Sequence, residues 1–271
     1  MEPFVQGLVL GIVQGVTEWL PVSSEGINTL IQSHFFKEPL AEAIRMSLWL
    51  HAGTLIAAAL YFRKDISELL RHLTQYTREL KSHKATERGK LISFLIISTV
   101  LTAAIGAPLL LISLKEEDVP GNIVMAVIGG FLIITGLVQR YAPRFSGTRE
   151  TTSIKDAVIV GVVQAFAAFP GLSRSGLTVS TLLFRGYDPQ RAIRISFLMS
   201  IPVVLAAQVG LVLIDGMSFD VAAITGLVAA FVFGILTIGA LVKLATRIRF
   251  WKFCIALGAL SLLVGLLLEI L

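Results

Sequence analysis

Long apolar stretches are the feature that most constrains how this chain can fold. A helix needs about 20 apolar residues to cross the hydrocarbon core of a bilayer. Six segments of the sequence reach that length, at residues 41–62, 91–114, 121–140, 191–214, 221–243 and 251–270. Hydrophobic residues make up 55% of the chain and charged residues only 15%, too few charges for a soluble protein of this size. We therefore predict an all-α, polytopic membrane protein with one membrane domain over residues 1–271.

Two further apolar stretches, at about 4–20 and 157–169, are too short to cross comfortably. Each runs into a polar turn, Pro21–Gly26 or Pro170–Gly176, and another short apolar stretch follows each turn. This pattern predicts two re-entrant helix hairpins. The alternative, one kinked spanning helix at each place, would put proline, glycine and several polar residues at the middle of the membrane.

The charged residues lie in the connections between the apolar stretches. The connections at 63–90, 140–156 and 243–252 are basic, whereas those near 115–118 and 215–220 are acidic. Basic loops stay in the cytoplasm, so both termini are expected on the extracytoplasmic side, with the two hairpins entering from opposite faces. The same placement explains the formal charge of +5 without a nucleic-acid partner.

An internal repeat relates the two halves of the chain. Gly11–Gln14 matches Gly161–Gln164, and the order of hairpin followed by three crossings occurs twice, over about 1–140 and about 150–271. Three crossings per repeat is an odd number, which predicts halves of inverted topology. In such architectures the binding site lies at the interface of the repeats.

Polar side chains concentrate at the first turn. Glu18, Ser23, Ser24 and Glu25 lie in or beside it, and Gln14 precedes Glu18 by one helical turn, which places both on one helix face. Polar groups inside a membrane are costly and are therefore functional candidates.

The second turn carries Ser173, Arg174, Ser175 and Thr178 at the start of a helix. Hydroxyls, free backbone N–H groups and an arginine fork together favour a phosphate. A carboxylate beside that phosphate must be protonated, act as a base, or share a divalent cation such as Mg²⁺ or Ca²⁺ with it. For Ser23 and Ser173, an N-capping role and a ligand contact are both open.

Two histidines and two glutamines in the apolar stretches and connections also need an interpretation. His51, within an apolar run, is either a packing residue or part of the site. His72, in the basic connection, is expected to be solvated. Gln14 and Gln164 are expected to bond to each other across the hairpins.

The segments Gly15–Ser24 and Pro170–Thr178 closely resemble the two motifs of the undecaprenyl-diphosphatase family, and the resemblance covers essentially the whole chain. It implies a polyprenyl diphosphate lipid as substrate, a divalent cation (Mg²⁺ or Ca²⁺) and a pocket open to the outer face. It also implies roles for the motif residues: Glu18 as the essential acid and metal ligand, Ser24 as the nucleophile, Arg174 as the diphosphate clamp, and Ser173, Ser175 and Thr178 as the lining of the second motif.

Two positions depart from the family pattern. Gln14 is a weaker metal ligand than the acid that can occupy its place, and Ile27 stands where the bacterial pattern has a histidine. Because isoleucine cannot accept a proton, the general base has to come from elsewhere; His51 is the best candidate, and Glu25 is the other. We expect this variation in an archaeal-type branch of the family.

Two functions fit these features. The first is hydrolysis of a polyprenyl diphosphate, with recycling of the carrier lipid; the second is a carrier or flippase that binds the same headgroup without hydrolysis. Glycines such as Gly129 and Gly130 pack either within the chain or against a second copy, so a homodimer is left open.

Overall fold

The computed structural model describes residues 2–82, 85–115, 119–143, 147–215 and 220–270. The acidic residues 116–118 and Arg144, which contributed to the predicted orientation, lie outside these ranges. In the described residues the chain is helical, with one isolated bridge between Arg149 and Tyr187. The predicted all-α class is therefore confirmed.

The described part of the chain contains eleven α-helices. These are α1 (Pro3–Thr17), α2 (Ser24–Ile31), α3 (Leu40–Tyr61), α4 (Arg63–Ser82), α5 (Glu87–Lys115), α6 (Gly121–Tyr141), α7 (Ile154–Ala165), α8 (Arg174–Phe184), α9 (Pro189–Asp215), α10 (Val221–Arg247) and α11 (Trp251–Ile270). A π-helical turn, Gln32–Phe36, extends α2, and a 3₁₀ turn, Phe166–Ala168, extends α7.

Six of these helices are long and apolar enough to cross a membrane, namely α3, α5, α6, α9, α10 and α11. They coincide with the six segments predicted from the sequence, and the chain is a multi-pass membrane protein. The 15 residues of α1 extend over about 22 Å at the helical rise of about 1.5 Å per residue. That length is short of a hydrocarbon core of about 30 Å.

The basic connection after α3 is largely the helix α4, and the prediction that His72 is solvated was wrong. His72 is 8% exposed, its Nε2 lying 2.8 Å from Glu79 Oε1 and 3.1 Å from Thr86 Oγ1. Burial raises the pKa of Glu79, but hydrogen bonds from Thr86 and His72 outweigh burial and lower it. These contacts hold Glu79 and His72 of α4 against Thr86, the residue that directly precedes α5.

The two halves of the chain pack against each other reciprocally. Helix α1, from the first half, packs along α10 of the second, and α7 of the second half packs along α5 of the first; α6 and α11 lie against each other. Glycines allow the close approaches: a Cβ on Gly129 would lie 2.6 Å from the Gly258 carbonyl oxygen, whereas one on Gly130 would meet no atom within 4 Å. Gly129 therefore packs within the chain.

A buried carboxylate anchors the start of α7. Asp156 is fully buried and accepts hydrogen bonds from Arg185 Nε at 2.7 Å and from the Tyr187 hydroxyl at 3.0 Å, and it pairs with Arg149 at 2.6 Å. Although burial raises its pKa, hydrogen bonds from Ser153, Arg185 and Tyr187 and the charge of Arg149 lower it. A carboxyl whose folded-state pKa is lowered stabilises the fold above its unfolded pKa, and that stabilisation disappears as the pH falls through the folded value.

We expect Asp156→Asn to lower the free energy of unfolding by about 2–4 kcal/mol at pH 7, because two arginines lose their shared buried partner. The measurement is thermal unfolding of the detergent-solubilised protein at pH 7 and at acidic pH. The gap between the two proteins should narrow as the pH falls. Glu150→Gln, at a nearby exposed position, is the control and should change stability by no more than about 0.5 kcal/mol. An equal loss in both variants would contradict this account of Asp156.

Candidate active site

The first polar turn reverses the chain, so that α2 lies beside α1. Asn28 Nδ2 on α2 donates to Gln14 Oε1 on α1 at 3.0 Å. In one continuous helix these residues would be about 21 Å apart. The two arms of the second turn, α7 and α8, also contact each other. The described geometry is thus a helix–turn–helix at each place.

A serine caps the helix that follows each turn. Ser23 Oγ accepts from the Gly26 N–H and Ser173 Oγ accepts from the Gly176 N–H, both at 3.1 Å. The capping interpretation of the two serines is therefore confirmed. Because the caps occupy equivalent places in the two motifs, the turns have similar local structures.

The same two serines also join the turns to each other. Ser23 Oγ accepts a second hydrogen bond from the Gly171 N–H at 3.1 Å, and Ser173 Oγ donates to the Val22 carbonyl at 2.9 Å. Gly171 has a φ of +101°, a conformation that favours glycine, and a Cβ on Gly26 would lie 2.6 Å from the Gly171 nitrogen. Hence the turns are in direct backbone contact.

Helix α6 supports both turns from one side. Thr135 Oγ1 donates to the Gly171 carbonyl at 3.1 Å and accepts from the Ser173 N–H at 3.1 Å. Gln139 Nε2 donates to the Pro21 carbonyl at 2.6 Å. Sequence reasoning did not single out Thr135 or Gln139, although a polar side chain within a spanning helix is the signal that would have found them.

Glu18 is the centre of the site. Its Oε1 accepts from Arg174 Nη2, and its Oε2 accepts from Ser24 Oγ at 2.8 Å and from Gln14 Nε2 at 3.0 Å. His51 Nε2 lies 3.3 Å from the same Oε2. The carboxylate is 6% exposed, and a buried charge of this kind requires cationic neighbours and donors. One acid from the first motif thus gathers the arginine of the second motif, the serine and the histidine.

Two of the side chains that contact Glu18, His51 and Gln14, are each oriented by a further contact of their own. His51 Nδ1 lies 2.7 Å from the Ser47 carbonyl, which can only accept, so the Nδ1 proton is directed there and Nε2 faces Glu18. Asn28 donates to the Gln14 oxygen, so the Gln14 NH₂ group faces Glu18. Asn28 is fully buried, and the sequence analysis missed it.

The expected bond between the two glutamines is absent, and that prediction was wrong. Gln164 Nε2 donates instead to Thr102 Oγ1 at 2.9 Å, on α5, while Gln14 serves Glu18. Each glutamine bonds to residues near its own helix and not to the other glutamine. The reason is that the two motifs contact each other through their turns, and not through α1 and α7.

The remaining predicted site residues of the second motif have different surroundings. Ser175 Oγ donates to the Leu20 carbonyl at 3.0 Å, across the contact between the turns. Thr178 is fully buried, donates to the Arg174 carbonyl at 2.8 Å and lies 2.7 Å from Ser196 Oγ. Thr178 therefore supports the backbone of Arg174 from behind.

A small cavity of about 30 Å³ lies between the turns, with room for water but not for a diphosphate. Its polar lining comes from the first turn with the preceding residue Glu18, from the second turn, and from α3: Glu18, Ser23, Ser24 and Glu25, then Ser173, Arg174 and Ser175, and finally His51. Gln14 and Thr178 are not among the residues that line it. Ser24 and Arg174 thus converge on one chamber, as the sequence predicted.

A larger cavity of about 220 Å³ borders the small one and shares Glu25, His51 and Arg174 with it. Most of its lining is alanine, valine and leucine, which come from α3, α5, α9 and the end of α7 with its 3₁₀ turn. An apolar cavity that meets a polar chamber has the shape and chemistry for an amphipathic ligand with a charged head and a hydrocarbon chain.

Among the described side chains that line the small cavity, two buried polar atoms have no hydrogen-bond partner. They are Arg174 Nη1 and Glu25 Oε1. Buried polar groups are normally paired, and an unpaired one calls for an explanation such as a ligand. An anion would satisfy the arginine, and a cation or a hydrogen-bond donor would satisfy the carboxylate.

Comparison with known proteins agrees with this geometry. The family described as Bacitracin resistance protein BacA matches residues 7–263. The undecaprenyl-diphosphatase of Methanococcoides burtonii is 46% identical over 258 residues, covering 95% of this chain and 97% of that protein. The undecaprenyl-diphosphatase of Haloarcula marismortui is 40% identical over 271 residues, covering 98% and 99%. That of Methanopyrus kandleri is 36% identical over 266 residues, covering 96% and 95%.

Relatives from archaea are among these matches, as the departure at Ile27 led us to expect. The matched region includes both turns, five of the six helices that are long enough to span a membrane, and α11 as far as residue 263. A match of this extent shows the family. The chain belongs to the BacA family.

Proposed function

We propose that this protein is an integral-membrane phosphatase that hydrolyses a polyprenyl diphosphate of the undecaprenyl type to the monophosphate and phosphate, and so recycles the carrier lipid. One observation carries the proposal: Ser24 and Arg174, from separate turns, line one polar chamber around Glu18. The names of the relatives support the same activity.

The substrate would place its two phosphates in the polar chamber and the start of its chain in the apolar cavity of about 220 Å³. The chamber, about 30 Å³, has to open for a diphosphate to enter. The Arg174–Glu18 pair is the contact to exchange, because the unpartnered Nη1 of Arg174 can engage a phosphate oxygen first. Full transfer of the guanidinium to the phosphate then gives a bidentate contact.

Transfer of Arg174 would also prepare the nucleophile. Without the guanidinium, Glu18 loses a cationic neighbour and holds a proton more readily. The Ser24 hydroxyl already donates to Glu18 at 2.8 Å, so Glu18 is the nearest group to receive its proton. Of the bases considered from the sequence, His51 instead lies behind Glu18, at 3.3 Å, where as a cation it would compensate for the departing arginine.

The chemical step then follows from the position of Ser24. Its Oγ attacks the terminal phosphorus, the bond from that phosphorus to the bridging oxygen breaks, and the polyprenyl monophosphate leaves. Arg174 stabilises the charge on the phosphoryl oxygens. Water cleaves the phosphoserine and releases phosphate. Attack by a water molecule that Ser24 orients gives the same products.

A divalent cation, Mg²⁺ or Ca²⁺, is part of the proposal. In the described residues no group of three or more His, Cys, Asp or Glu side chains is placed to hold a metal, and both oxygens of Glu18 accept from neighbours. Glu25 Oε1 has no partner. Mg²⁺ is commonly held by one or two carboxylates together with substrate phosphates. The site therefore fits a cation shared with the diphosphate and held by Glu25, with Glu18 as a second ligand only until it takes up the Ser24 proton; such a cation would neutralise phosphate charge.

We further propose that both helix–turn–helix segments are re-entrant and enter from opposite leaflets, as inverted repeats over about 1–140 and about 150–271. The reciprocal packing of α1 with α10 and of α7 with α5 supports this arrangement, and the loop charges favour extracytoplasmic termini. A homodimer stays a prediction.

Ser24→Ala should lower phosphate release from a polyprenyl diphosphate at least about a thousandfold, since the nucleophile is lost. The measurement uses purified protein in detergent, with and without a chelator. Ser33→Ala, a buried serine whose hydroxyl has no partner in the described residues, is the matched control and should retain activity. A small effect of Ser24→Ala would favour direct attack by water. No release by the unmodified protein would contradict hydrolysis and favour the carrier.

Asn28→Asp should lower kcat by up to about a hundredfold with little change in KM, because misplaced groups beside the reacting atoms are costly. An aspartate at 28 accepts from the Gln14 amide, so the Gln14 oxygen turns toward Glu18. We also expect a changed cation requirement, since two oxygens would then face each other; a purely structural defect would not cause this change.

Thr29→Val is the control for Asn28. Thr29 is adjacent and fully buried, and its hydroxyl has no partner in the described residues. Both variants are compared by titrating Mg²⁺ and Ca²⁺ against the rate of phosphate release. An unaltered rate and cation dependence in Asn28→Asp would contradict a positioning role for Asn28.

A further inference from the structure

Helix α4 carries a surface that the proposed phosphatase site does not use. At 3.6 residues per turn its side chains divide into an apolar face, a basic strip beside it, and an acidic side. The apolar face is Ile66, Leu69, Leu70, Leu73 and Leu80. The basic strip, in which no acid falls, is Arg63, Lys64, Arg71, Arg78 and Lys81, all exposed.

The acidic side fixes the rotation of α4 about its axis. Glu68 pairs with Arg88 at 3.2 Å, Glu79 accepts from the Thr86 N–H at 3.0 Å, and Asp65 pairs with Arg194 on α9. Tyr76 adds a hydroxyl contact to Ser93 on α5 at 3.0 Å. With this side held on α5 and α9, the apolar face and the basic strip have fixed directions.

The apolar face begins against the protein and continues without cover. Ile66 and Leu69 pack on the buried core at the ends of the spanning helices. Further along the same face, Leu70, Leu73 and Leu80 are 60%, 41% and 56% exposed. The first part of the face therefore meets the core of the protein, and its exposed continuation is the part that a bilayer beside the protein can contact.

We infer that this face of α4 docks on an anionic lipid surface. Only Phe62 separates α4 from the spanning helix α3, and α5 begins at Glu87, so both ends of α4 are tied to one side of the membrane. An apolar face flanked by Lys and Arg is the pattern of a helix that lies in the interface, with leucines at the acyl boundary and cations at the headgroups. Five exposed cations with no acid among them complement anionic headgroups, which is why the occupant is a charged bilayer.

The experiment places a fluorophore on either side of α4 in the full-length protein. Single cysteines replace Leu73, on the apolar face, and Gln75, whose side chain points about 160° away, in a Cys254→Ala background because Cys254 is the one native cysteine. The labelled proteins are reconstituted in acyl-brominated phosphatidylcholine with or without phosphatidylglycerol. Quenching should be at least twofold stronger at Leu73→Cys than at Gln75→Cys. It should fall without phosphatidylglycerol and in 1 M salt, where the screening length is about 3 Å.

Equal quenching at the two positions would overturn docking of this face, and quenching independent of phosphatidylglycerol would overturn its anionic partner. The combined variant Arg71→Glu with Arg78→Glu should abolish the lipid dependence, whereas Arg249→Glu, an exposed cation of another connection, should keep it. Hydrogen exchange of residues 63–82 in the unmodified chain gives the same comparison without substitutions. Slower exchange with phosphatidylglycerol supports docking, and identical rates contradict it.

Discussion

The buried carboxylate of Glu18 is the constraint around which the rest of the structure is arranged. A charge at 6% exposure inside a membrane protein needs compensation, and His51 of α3 and Arg174 of the other motif provide it together. That requirement brings two turns together that are distant in the chain. Every other feature of the centre, including the capping serines and the support from α6, holds the turns in the position that this pairing demands.

The same pairing explains how a site can be ready for an anion before one arrives. Arg174 is already desolvated, with one side of its guanidinium on Glu18 and Nη1 unpartnered. A phosphate that replaces the carboxylate therefore exchanges one anion for another and does not have to desolvate the arginine again. The free energy that phosphate binding costs at this site comes from the loss of the arginine partner by Glu18. His51, Ser24 and Gln14 continue to contact that carboxylate.

Sequence reasoning succeeded where a residue's role depends on its own neighbours along the chain. The six apolar segments, the two turns and their serine caps follow from length, hydropathy and helix-start chemistry, and all are present. Ser24 and Arg174 line one chamber, and the predicted repeat had already favoured a site between the two motifs.

Reasoning from the sequence failed where a hydrogen-bond partner comes from another segment of the chain. It also failed where a highly charged segment was taken for a loop although it is a helix. The glutamines looked equivalent, but Asn28 and Thr102, which lie outside the motifs, determine their bonds. The connection after α3 was interpreted by its charge alone, although its leucines recur at helical spacing, so the burial of His72 was missed. Both errors have one physical origin: a polar side chain follows the partner that satisfies it, wherever that partner lies in the sequence.

The hydrogen bonds by which Ser23 and Ser173 join the two turns have a consequence for how the protein is made. Ser23 accepts a hydrogen bond from Gly171, which lies 148 residues later in the chain. The ribosome therefore finishes the first turn long before the second turn exists. Until then Glu18 and the Val22 carbonyl lack their partners Arg174 and Ser173, and water or the insertion machinery has to replace those partners. The first turn must therefore stay without these contacts during synthesis, and the hydrogen bonds between the two turns form only when the second turn has been made.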